Sequence, residues 1–437
     1  MLLPICIFLA TYFFIATEKI DKTIAAVLGA ALMIITQQIS YEHALEKVDL
    51  NVIFVLIGMM IVVNILASTG VFEWMSIKLA QRAKGNGVVI MVALCLVTAG
   101  LSAILDNVTT VIIIAPVTIL VTQLLEIPTS PLLILLAIFS NTGGTATLIG
   151  DPPNILIGSQ THLTFNDFLV HMGPIALLIT LLTAALSMVV FRKRYHVAEN
   201  VKSRLNMADP SAAIIHRGRL NAALPVLGLI FLGFFVGHSI GLETGIVALA
   251  GAFLMGLVCR MDLHHCLAKV EWGTILFFVG LFMLVGGLEE KGVFEYMGHE
   301  LVRLTGGNLL ITALAILWFS AVMSAIVDNI PLVISFIPIL KAVIPVFAAN
   351  AGLDPESPEA LVQIAEPLYW SLALGACLGG NGTLIGASAN VVIAHIANRN
   401  KYRLTFMDFT RTGLPVMLLS VALSTVYIWL RYFALAK

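Results

Sequence analysis

Two short runs set a carboxylate beside an amide deep inside apolar stretches: Asp106-Asn107, followed by Val108-Thr109-Thr110, and Asp328-Asn329. Two other runs interrupt apolar stretches with glycine and small polar residues. The first is Ser140-Asn141-Thr142-Gly143-Gly144-Thr145-Ala146-Thr147, continuing through Gly150-Asp151-Pro152-Pro153-Asn154. The second is Gly379-Gly380-Asn381-Gly382-Thr383, continuing through Ser388-Ala389-Asn390. Glycine lets a chain leave helical geometry, and Pro152 and Pro153 have no N–H to give a helix. The amides, hydroxyls and freed carbonyls of these runs form a ring of hard oxygen ligands, to which half-helix N-termini add positive dipole ends. Such chemistry holds a small ion or a small hydroxylated solute.

Three acids belong to these runs. Asp106 and Asp328 follow apolar residues at membrane depth, where an acid is expensive and is a functional hypothesis by default. Asp is also a good N-cap, and capping is compatible with ion or proton binding at one residue. Asp151 has two open readings: a proton or cation handled on one side only, or a helix cap in an aqueous vestibule. All three are candidates for carrying a coupling proton.

The elements that position these residues follow from composition. The chain has 437 residues, 59% apolar and 11% charged, with net charge −1; its mean hydropathy is +1.00. Soluble domains carry roughly 25% charged residues, so this chain cannot cover a water-facing surface. It reads as an all-α polytopic membrane protein, which excludes a secreted enzyme, a nucleic-acid binder and a disordered scaffold. Its five cysteines show no CxxC spacing, so neither a redox nor a metal site follows from them.

Crossings are expected near 1–17, 22–40, 51–67, 130–158 and 167–191, and near 219–238, 243–260, 271–289, 366–397 and 408–431. Each covers a bilayer at about 20 residues. The stretches 87–126 and 308–348 are about double that length and carry Asp-Asn midway, as re-entrant helical hairpins would. Broken backbone at membrane depth is tolerated only where protein or a water-filled cavity surrounds it.

The chain also repeats itself. IAAVLGAALM (24–33) matches IVALAGAFLM (246–255), GVFEWM (70–75) matches GVFEYM (292–297), and SAILDNVTTVIIIAP (102–116) matches SAIVDNIPLVISFIP (324–338). TLIGDPPN (147–154) pairs with TLIGASAN (383–390), and LTFNDF (163–168) with LTFMDF (404–409). Asp151 thus faces Ala387, and Asn141 faces Cys377. An N-terminal repeat is expected over 1–191, with its hairpin at 87–126 and broken helix at 130–158. A basic linker follows over 192–218, then a C-terminal repeat over 219–437, with its hairpin at 308–348 and broken helix at 366–397. Five crossings per copy is an odd number, so the second copy runs inverted, as in many alternating-access transporters.

Lys and Arg divide 18 to 6 between the two sets of loops. The positive-inside rule puts the richer set, including the linker, in the cytoplasm and both termini outside the cell (inner) membrane. His171, His238 and His395 lie near span ends and read as interfacial. Glu73 and Glu295 sit on amphipathic segments (71–84 and 293–305) that read as interfacial helices beside the hairpins. GGTATLIG lacks the Lys of a phosphate-binding loop. With no nucleotide motif, transport must draw on an ion gradient, the substrate gradient or a separate ATPase subunit. No catalytic set is apparent, so the chain reads as a transporter rather than an enzyme, with no cofactor.

LSAILDNVTTVIIIAPVT (101–118), NTGGTATLIGDPPNILI (141–157) and SAIVDNIPLVISFIP (324–338) resemble the ion-transporter superfamily of ArsB arsenite permeases, NhaD sodium/proton antiporters, the melanosomal P protein and divalent-anion/sodium symporters. The stretches look most like the P-protein and ArsB-like branch, and the resemblance covers nearly all of the chain. It implies that the hairpin tips and unwound crossings hold substrate and ions, hence Asp106, Asn107, Asp328, Asn329 and the breaks at 141–154 and 379–390. It also makes a homodimer the expected assembly. Where dicarboxylate symporters of that superfamily carry Ser-Asn-Thr, this chain carries Asp-Asn. An ionised Asp there repels a di-anion and favours a cation or a neutral solute. The expectation is ArsB-type efflux of arsenite or antimonite coupled to H⁺. Na⁺/H⁺ antiport of the NhaD type is the alternative, followed by a passive anion channel or organic-anion transport.

Overall fold

A segment in lipid must satisfy its own backbone, and a chain this apolar does so by forming helices. The computed structural model describes residues 2–17, 19–83, 86–192, 194–195, 197 and 210–435, and among them there is no strand. Lys84, Lys193, Lys202, Arg204 and Lys437, with most of the linker 192–218, lie outside the described residues.

The first half contains α1 (Leu2–Thr17), α2 (Lys22–Ile35), α3 (Tyr41–Glu46), α4 (Leu50–Ala67), α5 (Val71–Arg82), α6 (Gly87–Ser102), α7 (Asn107–Leu125), α8 (Thr129–Gly144), α9 (Pro152–Gln160), α10 (Phe165–His171) and α11 (Gly173–Phe191). The second contains α12 (Arg217–Val236), α13 (Thr244–Val258), α14 (Leu263–Ala268), α15 (Trp272–Glu289), α16 (Val293–Leu304), α17 (Leu309–Ser324), α18 (Asn329–Ala351), α19 (Glu366–Gly379), α20 (Ser388–Arg399) and α21 (Phe406–Trp429). The helices from α2 to α7 begin 222 residues before α13 to α18, pair by pair. The local signals repeat with them. Thr164 and Thr405 each close a capping box, with Asp167 and Asp408 respectively, and Pro116 and Pro338 stand at the same place in the second hairpin arms.

Eight helices are long and apolar enough to cross a membrane among the described residues. Two of them, α7 and α18, are arms of the hairpins. The apolar helices α1, α2, α6, α8 and α13 are shorter, at 14–16 residues. Helix α16 meets α17 at 116°, so the segment at 293–304 lies across the hairpin and packs on α18, as α5 packs on α7. Leu177, Leu178, Leu181 and Val189 on α11 and Leu229 and Leu232 on α12 are exposed, which is the natural state of a face that meets lipid.

The halves interlock by exchange. Helix α2 lies along α15 and α4 along α13; α7 packs on α20 and α9 on α18. Because α2 corresponds to α13 and α4 to α15, each pair is one contact made twice with the halves traded.

Three expectations need adjusting. The crossing at 22–40 ends at Ile35, because Gln37 turns left-handed (φ 56°) and Ser40 caps a separate helix, α3. The crossing at 167–191 is split, with α10 ending at His171 and Gly173-Pro174 opening α11. Lys22, counted above with the loop charges, is the first residue of α2, and its ammonium turns into the protein.

Candidate functional site

Each hairpin turns at an Asp that opens the second arm, and the two differ. The Asp106 carboxylate accepts the Thr109 N–H at 2.8 Å and the Thr109 hydroxyl. The Thr110 hydroxyl donates to the Asp106 carbonyl at 2.9 Å. Thr109 and Thr110 therefore serve the first turn of α7. Asp328 accepts the Ile330 N–H at 3.4 Å, the Ser388 hydroxyl at 2.8 Å and the Lys22 ammonium at 3.0 Å. Lys22 also donates to the Ser388 hydroxyl at 2.8 Å.

At the two breaks, freed carbonyls must find donors because a buried one without a partner is costly. Asn154 supplies its amide to the Gly144, Thr145 and Thr147 carbonyls at 3.4, 3.3 and 2.9 Å. Asn390 does the same for Gly380 and Thr383 at 2.8 and 2.9 Å. The Thr147 hydroxyl donates to the Ala103 carbonyl at 2.6 Å and that of Thr383 to Ala325 at 2.5 Å, tying each break to its own hairpin tip. Gly143 and Gly379 allow close packing rather than ligation. A Cβ on Gly143 would lie 2.1 Å from the Ala99 carbonyl oxygen, and on Gly379 2.4 Å from that of Ala321. Gly144, Gly380 and Gly382 are likewise packed against neighbours. Thr145 donates to the Asn141 carbonyl at 2.8 Å, within its own helix.

Asp151 is where the hairpins meet. It precedes α9, but its carboxylate makes no cap bond; Pro152 and Pro153 have no N–H to offer. Its Oδ1 instead accepts amides from both hairpin tips, Asn107 at 3.1 Å and Asn329 at 3.3 Å. Its Oδ2 is buried without a partner, as is the Asn107 Oδ1. Asn107 also donates to Asn141 Oδ1 at 3.2 Å. Asn141 then reaches across the halves to Asn381 Oδ1 at 3.0 Å and Asn390 Oδ1 at 2.9 Å, and Asn381 returns a donor to the Thr142 hydroxyl at 3.3 Å. The Cys377 thiol donates to Asn154 Oδ1 at 3.4 Å. Asn107, Asn141, Thr142, Asp151, Asn154, Asn329, Asn381 and Asn390 thus form one buried network through the middle of the molecule.

A cavity of about 190 Å³ reaches this network, lined among others by Lys22, Asp106, Asn107, Asp151, Glu271 and Asn329. A neighbouring cavity of about 360 Å³ holds Asp21, Lys22, Asp328, Ser388 and His395. Both lie toward the N-terminal ends of α2 and α15. At the opposite end of α15, Lys47 pairs with Glu289 at 3.0 Å, and Lys341 donates to Gln160, which donates to Asp49. Among the described residues no three His, Cys, Asp or Glu side chains converge to hold a metal ion.

Lys22 and Glu271 escaped the sequence reading, since each is a charge at a predicted span end. His395 lines a cavity, and His171 stacks on Trp370 and bonds the Tyr432 hydroxyl; both lie deeper than their positions near span ends suggest.

Comparison with known proteins agrees with this arrangement. An uncharacterized transporter of Mycobacterium tuberculosis is 41% identical over 436 residues, covering 99% of this chain and 98% of its own. The P protein of Mus musculus is 33% identical over 506 residues, covering 97% of this chain and 59% of the longer P protein. The crystal structure of the Alcanivorax borkumensis YdaH transporter shares the fold, with a TM-score of 0.59 at 15% identity, covering 89% of this chain and 86% of that one. The family model described as citrate transporter, CitMHS, matches residues 12–375. This multi-pass membrane transporter belongs to the CitMHS family.

Proposed function

We propose that the chain is a secondary active transporter of the inner membrane, whose two inverted repeats expose the Asp151 site to the two sides in turn. Asp151 carries the coupling proton. The observation that carries this reading is the Asp151 carboxylate itself: one oxygen held by an amide from each hairpin tip, the other buried without a partner. Keeping such a group ionised away from water costs about several kcal/mol. A proton at Oδ2 removes the charge, and the adjoining cavity gives the released proton a way out.

Within the family, the narrower likeness to ArsB supports arsenite or antimonite as the exported solute, a small uncharged species that amides and hydroxyls can hold. The charge around the two cavities favours this over a polyanion: Asp106, Asp151, Glu271 and Asp328 stand against Lys22. The same charges argue against an anion channel and against organic-anion transport. Na⁺/H⁺ exchange is the second reading, favoured by the two buried, unpartnered hard oxygens of Asp151 and Asn107. The Lys/Arg bias places the cavities on the cytoplasmic side, and a homodimer is the assembly we propose.

The test is uptake into everted vesicles, with arsenite and Na⁺ compared under an imposed proton gradient. Arsenite accumulation that collapses with the gradient supports efflux. Na⁺-dependent proton release without arsenite movement moves the protein to the antiporters, and neither flux overturns both readings.

A further inference from the structure

The hairpin tips share the Asp-Asn pair but not its surroundings. At the first tip, the described polar partners of the Asp106 carboxylate belong to its own helix turn. Asp151 and Glu271 line the same cavity, and two buried oxygens beside it have no partner. At the second tip, Ala387 replaces the acid of the break, and Asp328 is joined by the Ser388 hydroxyl and the Lys22 ammonium. One tip is left negative; the other is neutral.

We infer that the Lys22 ammonium is a tethered cation that permanently occupies the second hairpin tip, so that the transporter binds its free coupling ion at the first tip alone. Lys22 comes from α2, outside both the hairpin and the break it serves. Its stem passes Phe277, with Nζ 5.1 Å from the ring centroid, where the ring face holds a cation in place. It lines both cavities and so forms part of the wall between them. The cation is not duplicated: the counterpart of Lys22 is Thr244, whose hydroxyl accepts from Asn51 at 3.4 Å. An ammonium within hydrogen-bond reach of a carboxylate repels any second cation from it, the more strongly where the surroundings are apolar. The consequence is a coupling stoichiometry of one ion per cycle from a scaffold that carries two similar tips.

This inference rests on the reading of Asp151 as the coupling site, and its test separates the two. The full chain is purified as wild type and as Lys22→Gln, and its melting temperature is followed with Na⁺ against choline at equal ionic strength, and with falling pH. Lys22→Gln is expected to show a saturable rise of several degrees with Na⁺ or with acid beyond the wild-type response. That rise persists when Asp151→Asn is added and vanishes when Asp328→Asn is added. In vesicles, the ions moved per substrate rise from one to two, while Lys22→Arg keeps one. A Lys22→Gln chain that fails to accumulate, while Lys22→Gln with Asp328→Asn does accumulate, supports the inference through the uncompensated carboxylate. Equal responses in wild type and Lys22→Gln, or loss of both the single and the double variant, overturn it. If Lys22→Gln responds as expected while Asp151→Asn leaves coupling intact, Lys22 keeps its role and the coupling proton belongs elsewhere.

Discussion

The two broken crossings are built alike and hold different chemistry. In both, an Asn four residues after the last Gly of the break, Asn154 or Asn390, gathers freed carbonyls, and a Thr ties the break to its hairpin tip. At the positions that face the centre they part. The first break offers Asn141 and Asp151; the second has Cys377 and Ala387 there. Asn141 bridges the halves, and Asp151 gathers both tips. Repetition supplies the frame, and departure from repetition supplies the chemistry, so symmetrising substitutions should separate the two.

The largest effect is expected from making the breaks alike at the acid. Asp151→Ala should abolish concentrative transport, a loss of at least about 100-fold if the carboxylate is the essential proton carrier, with the protein still folding because an unpartnered buried charge has been removed. Vesicle uptake and a melting curve check the two halves of that statement. Asn141→Cys comes next. It deprives Asn381 and Asn390 of the donor to their Oδ1 atoms, at about 1–3 kcal/mol for each abandoned oxygen, and its melting temperature should fall clearly. Cys377→Ser, which alters one weak contact to Asn154, should leave stability nearly unchanged; an equal fall in both would mean that Asn141 does not bridge the halves.

Gly143→Ala and Gly379→Ala probe the frame instead. Each new methyl meets a backbone carbonyl oxygen, at 2.1 and 2.4 Å, so both should destabilise by about 1–3 kcal/mol. Similar losses in denaturation are expected from both, in contrast to the unequal pair above.

Much of this frame is legible in the sequence. Doubled apolar stretches with a central Asp-Asn read as hairpins, Gly-rich polar runs read as breaks, and the match between residues 102–116 and 324–338 announces the correspondence. Asp151 stands out as an acid without a counterpart. What the sequence hides is direction. Lys22 and Glu271 are charges at span ends, and only packing of α2 and α15 around the hairpin tips turns them toward the cavities. Thr109 and Thr110 read as ligands by type, yet their hydroxyls close the first turn of α7. The glycines read as hinge residues, whereas Gly143 and Gly379 are needed because another helix's carbonyl lies where a Cβ would stand.

The smallest effect lies at the far end of α15. His43 bonds Glu290 at 2.5 Å, and that hydrogen bond, with the Glu290 charge, raises the His43 pKa above its usual value. A raised folded-state pKa means that the tie between α3 and α15 is fully present below the unfolded histidine value of about 6.5. It is lost as pH climbs through the higher folded value. An NMR titration should find His43 titrating above the ordinary range, and Glu290→Gln should bring it back.

The most direct test of the coupling role is Asp151→Asn, which keeps the shape of the side chain and removes its titration. Substrate counterflow and gradient-driven accumulation are measured in the same vesicles. The expected result is counterflow that survives while accumulation no longer responds to the proton gradient. Accumulation by Asp151→Asn with wild-type dependence on that gradient would contradict the assignment of the coupling proton to Asp151.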